Sequence, residues 1–101
     1  MFVELVFFKS KPQVSDAEVT ASAQAIQTLA NRMGAHFQLE LLRTDEGEWV
    51  EIVHWASQEE AQRVEQSVMQ MPEAQHAMSV MDEATLRMVF LHPVQPNVEH
   101  L

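Results

Sequence analysis

Five histidines are the residues best suited to acid–base or metal chemistry in this sequence, at positions 36, 54, 76, 92 and 100. No two of them stand four residues apart and none belongs to an HExxH pattern, so their spacing predicts no metal site. The sequence has no cysteine, which excludes a disulfide framework, a thiolate ligand and a thiol nucleophile. Its two glycines form no phosphate-binding loop. We therefore expect no metal and no cofactor.

Two of these histidines, His54 and His76, are the candidate catalytic residues. Strand alternation predicts that His54 lies on the helix-facing side of the third strand, where a neutral imidazole in a half-buried pocket suits a general base. His76 falls in a short helix after Pro72 and can reach over a pocket between that helix and the sheet. The structural alternatives are a core histidine bonded to a backbone carbonyl and a solvated histidine on a helix surface.

A substrate pocket between the second helix and the sheet is predicted from four apolar side chains, Phe7, Trp55, Met78 and Met81. An indole such as that of Trp55 can stack on a planar ligand, although filling a dimer interface is the commoner use of such a residue. Methionines in the second half of the chain can line an adaptable pocket, and at helical spacing they also fill gaps in a core.

The elements that position these residues follow from capping and periodicity. Ser15 and Glu18 form a capping box that opens a helix over 16–33, and a second capping box starts at Ser57. Pro72 breaks the second helix, and a short helix continues after it. The predicted strands are 2–9, the two arms of a hairpin over 36–55 that turns at Gly47, and 84–92.

This order of elements predicts an α+β fold, a ferredoxin-like β-α-β-β-α-β antiparallel sheet with two helices on one face. Crossover connections are expected to place the first and third strands side by side and parallel, with the fourth and second strands at the edges. We predict one domain over 1–93 and a C-terminal arm over 94–101. The expected helix-facing residues are apolar: Val3, Leu5, Phe7, Phe37, Leu39, Leu41, Val50, Ile52, Leu86, Met88 and Phe90.

The opposite face of the sheet is also largely apolar, which predicts an interaction surface. A second copy packed sheet on sheet is the simplest partner, so we predict a homodimer; the alternatives are a monomer and a different partner protein. Glu4 and Arg87 are expected to pair within this face. Its expected apolar residues are Phe2, Val6, Phe8, Leu42, Trp49, Val53, Trp55, Val89 and Leu91.

Composition limits the partners. The chain has 101 residues and a net charge of −9, which repels nucleic-acid backbones and anionic lipid surfaces. No apolar run approaches the ~20 residues that a membrane span needs, and the first residues lack the features of a signal peptide. We expect a cytoplasmic protein that binds neither nucleic acid nor membrane.

The segment WVEIVHWASQEEA over 49–61, a strand that ends in tryptophan before a capped helix, resembles the antibiotic biosynthesis monooxygenase (ABM)-like domains of the dimeric α/β barrel superfamily. The resemblance covers about residues 2–92. It implies a homodimer and, in some members, a cofactor-free monooxygenase that acts on polyphenols with polar side chains such as tyrosine, which this sequence lacks. In the haem-degrading branch His76 would be the axial ligand, but that branch also uses an asparagine on strand one and a tryptophan in helix two, and both are missing here.

Two hypotheses follow. The first is a cofactor-free monooxygenase that acts on a flat hydrophobic small molecule, with His54 or His76 as the proton acceptor. The second is a non-catalytic dimeric module that binds a small ligand or serves assembly. The first predicts a pocket of a few hundred Å³ with convergent polar groups, and the second predicts a filled core.

Overall fold

The structure, a computed structural model, describes residues 1–94 and confirms the predicted order of elements. The predicted arm lies outside the described residues except for Val94. Within the described residues no helix is long and apolar enough to cross a membrane. The elements are β1 (Phe2–Phe8), α1 (Asp16–Arg32), β2 (Phe37–Arg43), β3 (Trp49–Trp55), α2 (Gln58–Val68), α3 (Pro72–Val80), a 3-10 turn (Glu83–Thr85) and β4 (Arg87–Leu91).

The four strands form one sheet in the order β2-β3-β1-β4, with β2 and β4 at the edges as expected. All three pairings are antiparallel, so the expected parallel pairing of β1 and β3 is wrong. The reason is topological. The crossover through α1 makes β1 and β2 run in the same direction, and β3 returns from β2 in a hairpin and lies between them. It therefore runs against both neighbours.

On β1 and β3 the two sides are exchanged relative to the prediction, whereas on β2 and β4 the predicted sides are confirmed, with Phe37, Leu39, Leu41, Met88 and Phe90 on the helix-facing side. Phe2, Val6 and Phe8 on β1 are buried beneath the helices, whereas the alternate residues of that strand are only half-buried. Because residues paired across adjacent strands lie on the same side of a sheet, Trp49, Val53 and Trp55 of β3 also face the helices. The other side, which we call the open side, has no helix on it and bears these apolar residues: Val3, Leu5, Phe7, Leu42, Val50, Ile52, Val89 and Leu91.

The exchange separates Glu4 from Arg87, so their expected ion pair is wrong. Glu4 lies on the helix-facing side and is 4% exposed. Arg87 lies opposite Phe7 on the open side, and its guanidinium stacks over the Phe7 ring at 4.2 Å from the centroid. Such a stack keeps the cation in contact with water while covering an aromatic ring.

Local signals set the ends of the helices. The capping box of Ser15 and Glu18 is complete, with both reciprocal hydrogen bonds present. The one expected at Ser57 is only half-formed, because the Ser57 hydroxyl accepts from the Glu60 amide but the Glu60 carboxylate bonds His36 instead. This contact lowers the pKa of Glu60. The start of the predicted fourth strand is also wrong, since residues 83–85 form the 3-10 turn.

A glutamine side chain covers the outer edge of β2. The Gln27 amide nitrogen donates to the Phe37 carbonyl at 3.0 Å, and its amide oxygen accepts from the Leu39 N–H at 2.8 Å. Gln27 projects from α1, which packs beside this strand. The side-chain amide thus occupies the hydrogen-bonding positions that the backbone of a fifth strand would use.

The buried side chains form two core clusters. The first core cluster joins α1 and α2 to one end of the sheet, and the second joins α1 and α3 to the other end. The first contains Phe2, Ala30, Phe37, Val53, Trp55, Ala61 and Val64. The second contains Val6, Phe8, Val19, Trp49, Val80 and Met81. Two acidic residues of the sheet, Glu4 and Glu51, belong to neither cluster although both lie on the helix-facing side.

Candidate active site between the second helix and the sheet

A buried carboxylate, Glu4, is the centre of the candidate site. Strand alternation places it among the apolar residues of β1 on the helix-facing side, where it is almost fully removed from solvent. The indole nitrogen of Trp55 donates a hydrogen bond of 2.7 Å to Oε1 of Glu4. The Phe37 ring packs edge-on against Trp55 at 4.9 Å between centroids and fixes the orientation of the indole. A buried charge is tolerated only with such partners.

A second carboxyl group, that of Glu65, faces Glu4 from α2. Burial, a hydrogen bond with Glu4 and the charge of Glu4 together raise the pKa of Glu65 to about 8. Two carboxylates this close do not ionise together readily, so the pair holds one proton at neutral pH. A proton acceptor whose pKa lies near the working pH is well suited to general acid–base chemistry.

Glu51 adds a third carboxyl group on the same side of the sheet. Burial and, to a smaller extent, the nearby charge of Glu4 together raise its pKa to about 7. No group of three histidine or acidic side chains in residues 1–94 is arranged to hold a metal ion.

A cleft of about 280 Å³ opens beside Glu65, between α2 and the edge of the sheet. The helices leave β4 largely uncovered, so Phe90 is 52% exposed although it lies on the helix-facing side. The Phe90 ring stacks on Phe2 with 5.9 Å between centroids and 13° between planes. We call this space the aromatic cleft; its lining residues are Phe2, Gln58, Ala61, Gln62, Glu65, Phe90 and His92.

A smaller cavity of about 80 Å³ lies between α1, α2 and the sheet. Glu65 lines both this cavity and the aromatic cleft, and Trp55 forms part of the cavity wall. We call it the apolar cavity because, Glu65 apart, its wall is made of hydrophobic side chains. The lining residues are Ile26, Ala30, Phe37, Trp55, Val64, Glu65 and Val68.

The predicted catalytic histidines do not lie at this site. His54 is on the open side, opposite Val3, and its Nε2 is 3.1 Å from Oε1 of Glu40. Its predicted place on the helix-facing side is wrong, because that prediction rested on the exchanged faces. His76 is exposed on α3 and lines neither the aromatic cleft nor the apolar cavity.

The four predicted pocket residues are not brought together. Trp55 borders the apolar cavity and bonds Glu4. Met81 is buried in the second core cluster, and Met78 packs against that cluster. Phe7 is on the open side beneath Arg87, so its predicted place in a pocket on the helix side is wrong. The prediction of Trp55 as a residue of the open side is wrong for the same reason.

Sequence reasoning missed Glu4, Glu51 and Glu65 as site residues. The available signal was Glu4 itself, a single acidic residue within an otherwise apolar strand. A carboxylate in such a strand either faces water or is buried with partners, and alternation alone does not distinguish the two cases. Glu65 gave no comparable signal, because α2 is rich in polar residues.

Solved structures with the same fold were found over nearly the whole chain. A mutant of SnoaB, a cofactor-independent oxygenase from Streptomyces nogalater, superposes with a TM-score of 0.74 and 16% identity, covering 93% of each chain. A putative antibiotic biosynthesis monooxygenase from Nitrosomonas europaea gives a TM-score of 0.63 at 14% identity, covering 94% of this chain and 100% of the other.

An uncharacterised NIPSNAP domain protein from Burkholderia xenovorans gives a TM-score of 0.61 at 14% identity, covering 93% of this chain and 95% of the other. No protein-family model matches the sequence, and the search of curated proteins found no match. At these identities the similarity shows the fold, and activity has to be argued from the site.

Proposed function

Because the chain has the antibiotic-biosynthesis-monooxygenase-like fold of the dimeric α/β barrel superfamily, we propose that it is a cofactor-free monooxygenase. Its substrate is a flat, hydrophobic, phenolic small molecule bound in the aromatic cleft. The observation that carries the proposal is the Glu4–Glu65 carboxyl pair, whose raised pKa provides a proton acceptor at the wall of that cleft. The same fold in SnoaB, a cofactor-independent oxygenase, supports the class of reaction.

The proposed reaction takes its electrons from the substrate. The carboxyl pair removes a proton from a ring carbon that bears two hydrogens, and the resulting carbanion is delocalised over the phenolic rings. The carbanion transfers its electron pair to dioxygen in two one-electron steps, a C–O bond forms, and the proton returns to give a hydroperoxide. Loss of water breaks the O–O bond and leaves a carbonyl. One oxygen atom enters the product and the other leaves as water, so no external reductant is needed.

The aromatic cleft supports a planar substrate. Its volume of about 280 Å³ is just below the range that is usual for small-molecule sites, ~300–1,000 Å³. Phe2 and Phe90 present ring surfaces on which a fused ring system can stack. Gln58 and Gln62 add side-chain amides that can bond phenolic oxygens at the polar rim. Together these groups orient a flat ligand with one edge toward Glu65.

The test is dioxygen consumption over a panel of two- and three-ring polyphenols, measured as a function of pH. We expect the rate to rise with pH through about 8, where Glu65 loses its proton. Glu65→Gln should lower the rate by about a hundredfold or more, the usual contribution of a general base. Glu59→Gln is the matched control, because Glu59 is exposed on the first turn of the same helix.

Equal rates for the wild type and the Glu65→Gln variant would contradict the proposed role of the carboxyl pair. Binding of the polyphenols without dioxygen consumption, at any pH between 6 and 9, would favour the alternative of a non-catalytic ligand-binding module. Isothermal titration calorimetry on the same panel separates these two outcomes, since it detects binding whether or not turnover follows.

We also propose that the protein is a homodimer formed through the open side. Eight apolar residues on this side have no helix over them, and Leu42 and Leu91 are 49% and 43% exposed. An apolar surface of this extent favours burial against another copy. We expect Leu42→Asp to shift the mass measured by light scattering toward the monomer. Met69→Asp is the control, since Met69 is equally apolar and 58% exposed but lies at the end of α2.

A monomer in the wild-type protein at micromolar concentration would contradict the homodimer. In the proposed homodimer His54 and Glu40 lie at or near the interface, where their contact of 3.1 Å is removed from solvent. We place this dimer in the cytoplasm, in keeping with a sequence that has no cysteine.

A further inference from the structure

The apolar cavity has no role in binding the flat substrate, which the aromatic cleft accommodates. At about 80 Å³ it has roughly half the volume of the engineered apolar cavity of ~150 Å³ that binds benzene or xenon. A ring system is therefore too large for it. Protein interiors are normally close-packed, and a void of this size loses dispersion contacts along its walls. A small molecule that fills this space would restore those contacts.

Water is a poor occupant of this cavity. A buried water needs two to four polar partners, and the walls contributed by Ala30, Val64 and Val68 are hydrocarbon. The indole nitrogen of Trp55 is already committed to Glu4. Glu65 alone remains as a polar neighbour. The chemistry of the walls selects a small apolar molecule that makes no hydrogen bonds.

The position of the cavity identifies which small apolar molecule is relevant. Glu65 forms part of the wall of both the apolar cavity and the aromatic cleft, so the two spaces adjoin at that side chain. The electron-rich carbanion of the proposed reaction forms on the cleft side of Glu65. Its co-substrate is a diatomic apolar gas that must reach it without the help of a metal or flavin.

We propose that the apolar cavity between α1, α2 and the sheet is a dioxygen site that supplies the aromatic cleft past Glu65. The role of this site in the reaction rests on the proposed function, whereas binding of an apolar gas in the cavity does not depend on catalysis. Binding in a cavity next to the carbanion raises the local concentration of dioxygen there.

Xenon is the first probe, because it is apolar, of similar size and visible by NMR of the dissolved gas. We expect a concentration-dependent 129Xe shift with the wild type and its loss in Ala30→Val, which adds two methyl groups to the cavity wall. Ala77→Val is the matched control: Ala77 is also a buried helix alanine but lies on α3, away from this cavity, and the variant should retain the xenon shift.

Dioxygen itself is the second probe, through quenching of tryptophan fluorescence. In a Trp49→Phe background Trp55 is the only indole and it lines the cavity. Dioxygen should quench it strongly, whereas acrylamide, which is polar and larger, should not. Adding Ala30→Val should reduce the quenching by dioxygen. In a Trp55→Phe background the remaining Trp49, in the second core cluster, should be insensitive to Ala30→Val.

The outcomes separate this inference from the proposed function, because neither probe requires a substrate. Absence of a xenon shift, or dioxygen quenching of Trp55 that is unchanged by Ala30→Val, would overturn the gas site even if polyphenols are oxidised. With an active substrate in hand, Ala30→Val should raise the apparent KM for dioxygen and leave the KM for the polyphenol unchanged. An unchanged KM for dioxygen would also overturn it. Xenon binding in a protein that consumes no dioxygen would refute the proposed function and the supply role, while leaving the cavity as a gas site.

Discussion

Glu51→Gln is expected to make the protein more stable, and to do so only above about pH 5. The pKa of Glu51 is about 7 in the folded protein, compared with 4.5 for an unperturbed glutamate. Each pH unit between these values corresponds to about 1.4 kcal/mol. Ionising Glu51 in the folded state therefore costs about 3 kcal/mol more than ionising it in the unfolded chain.

The sign follows from proton binding. Between pH 4.5 and pH 7 the folded state holds a proton on Glu51 that the unfolded state has released, so the free energy of unfolding falls as the pH rises. The penalty is absent below this window and complete above it. Glutamine has a similar shape and no charge, so the variant escapes the penalty. The stability difference between variant and wild type should increase by about 3 kcal/mol from pH 4 to pH 8.

The assay is urea unfolding followed by tryptophan fluorescence at pH 4, 5, 6, 7 and 8, at one protein concentration so that any dimer contributes equally. Glu46→Gln is the control, because Glu46 is exposed in the β2–β3 turn and its substitution should give a difference that does not vary with pH. A pH-independent difference for Glu51→Gln as well would refute the reasoning. It would mean that Glu51 reaches water in the folded protein and that the carboxyl groups beneath α2 do not share a desolvated site.

Four other substitutions test the structure. Trp55→Phe should cost about 1–3 kcal/mol because it leaves the buried Glu4 carboxylate without its donor. Trp49→Phe should cost less in the same urea assay, since no described residue accepts a hydrogen bond from the Trp49 indole; equal costs would contradict the role of the Trp55 bond. Ser15→Ala should cost about 1 kcal/mol through loss of the helix cap, and an unchanged urea midpoint would contradict this. Gly47→Ala should cost about 1–2 kcal/mol, because φ is +85° there; the added Cβ would lie 3.9 Å from Arg43 Nη2, an ordinary contact that adds no clash. A neutral result would show that the turn adopts another conformation.

The elements of this fold could be predicted from the sequence because local chemistry marks their ends. Ser15, Ser57 and Pro72 stand where helices begin in the structure, and Gly47 has the positive φ expected of a turn. These signals act within a few residues of the chain. They do not depend on how the sheet is oriented against the helices.

The assignment of the two sheet faces could not be predicted in the same way. Both sides of β1 are apolar, so alternation divides its residues into two sets without saying which set the helices cover. The prediction puts Glu4 on the side of the sheet that the helices leave open. That inference is wrong because partners distant in sequence, Trp55 and Glu65, supply a hydrogen bond and a shared proton. Because of the same error His54 is predicted on the wrong side of the sheet, and the carboxyl site is not predicted at all.

The contact that Gln27 makes with the Phe37 carbonyl and the Leu39 N–H has a consequence for the solubility of the protein. A free edge strand can recruit the edge of another molecule, and repeated recruitment produces fibrils. Here one amide side chain ends the ladder at β2, so molecules that meet edge to edge at this point find no free bonding groups. Edge-to-edge growth from this point of β2 is thereby disfavoured, in contrast to the face-to-face contact proposed above, which is complete once two copies have met.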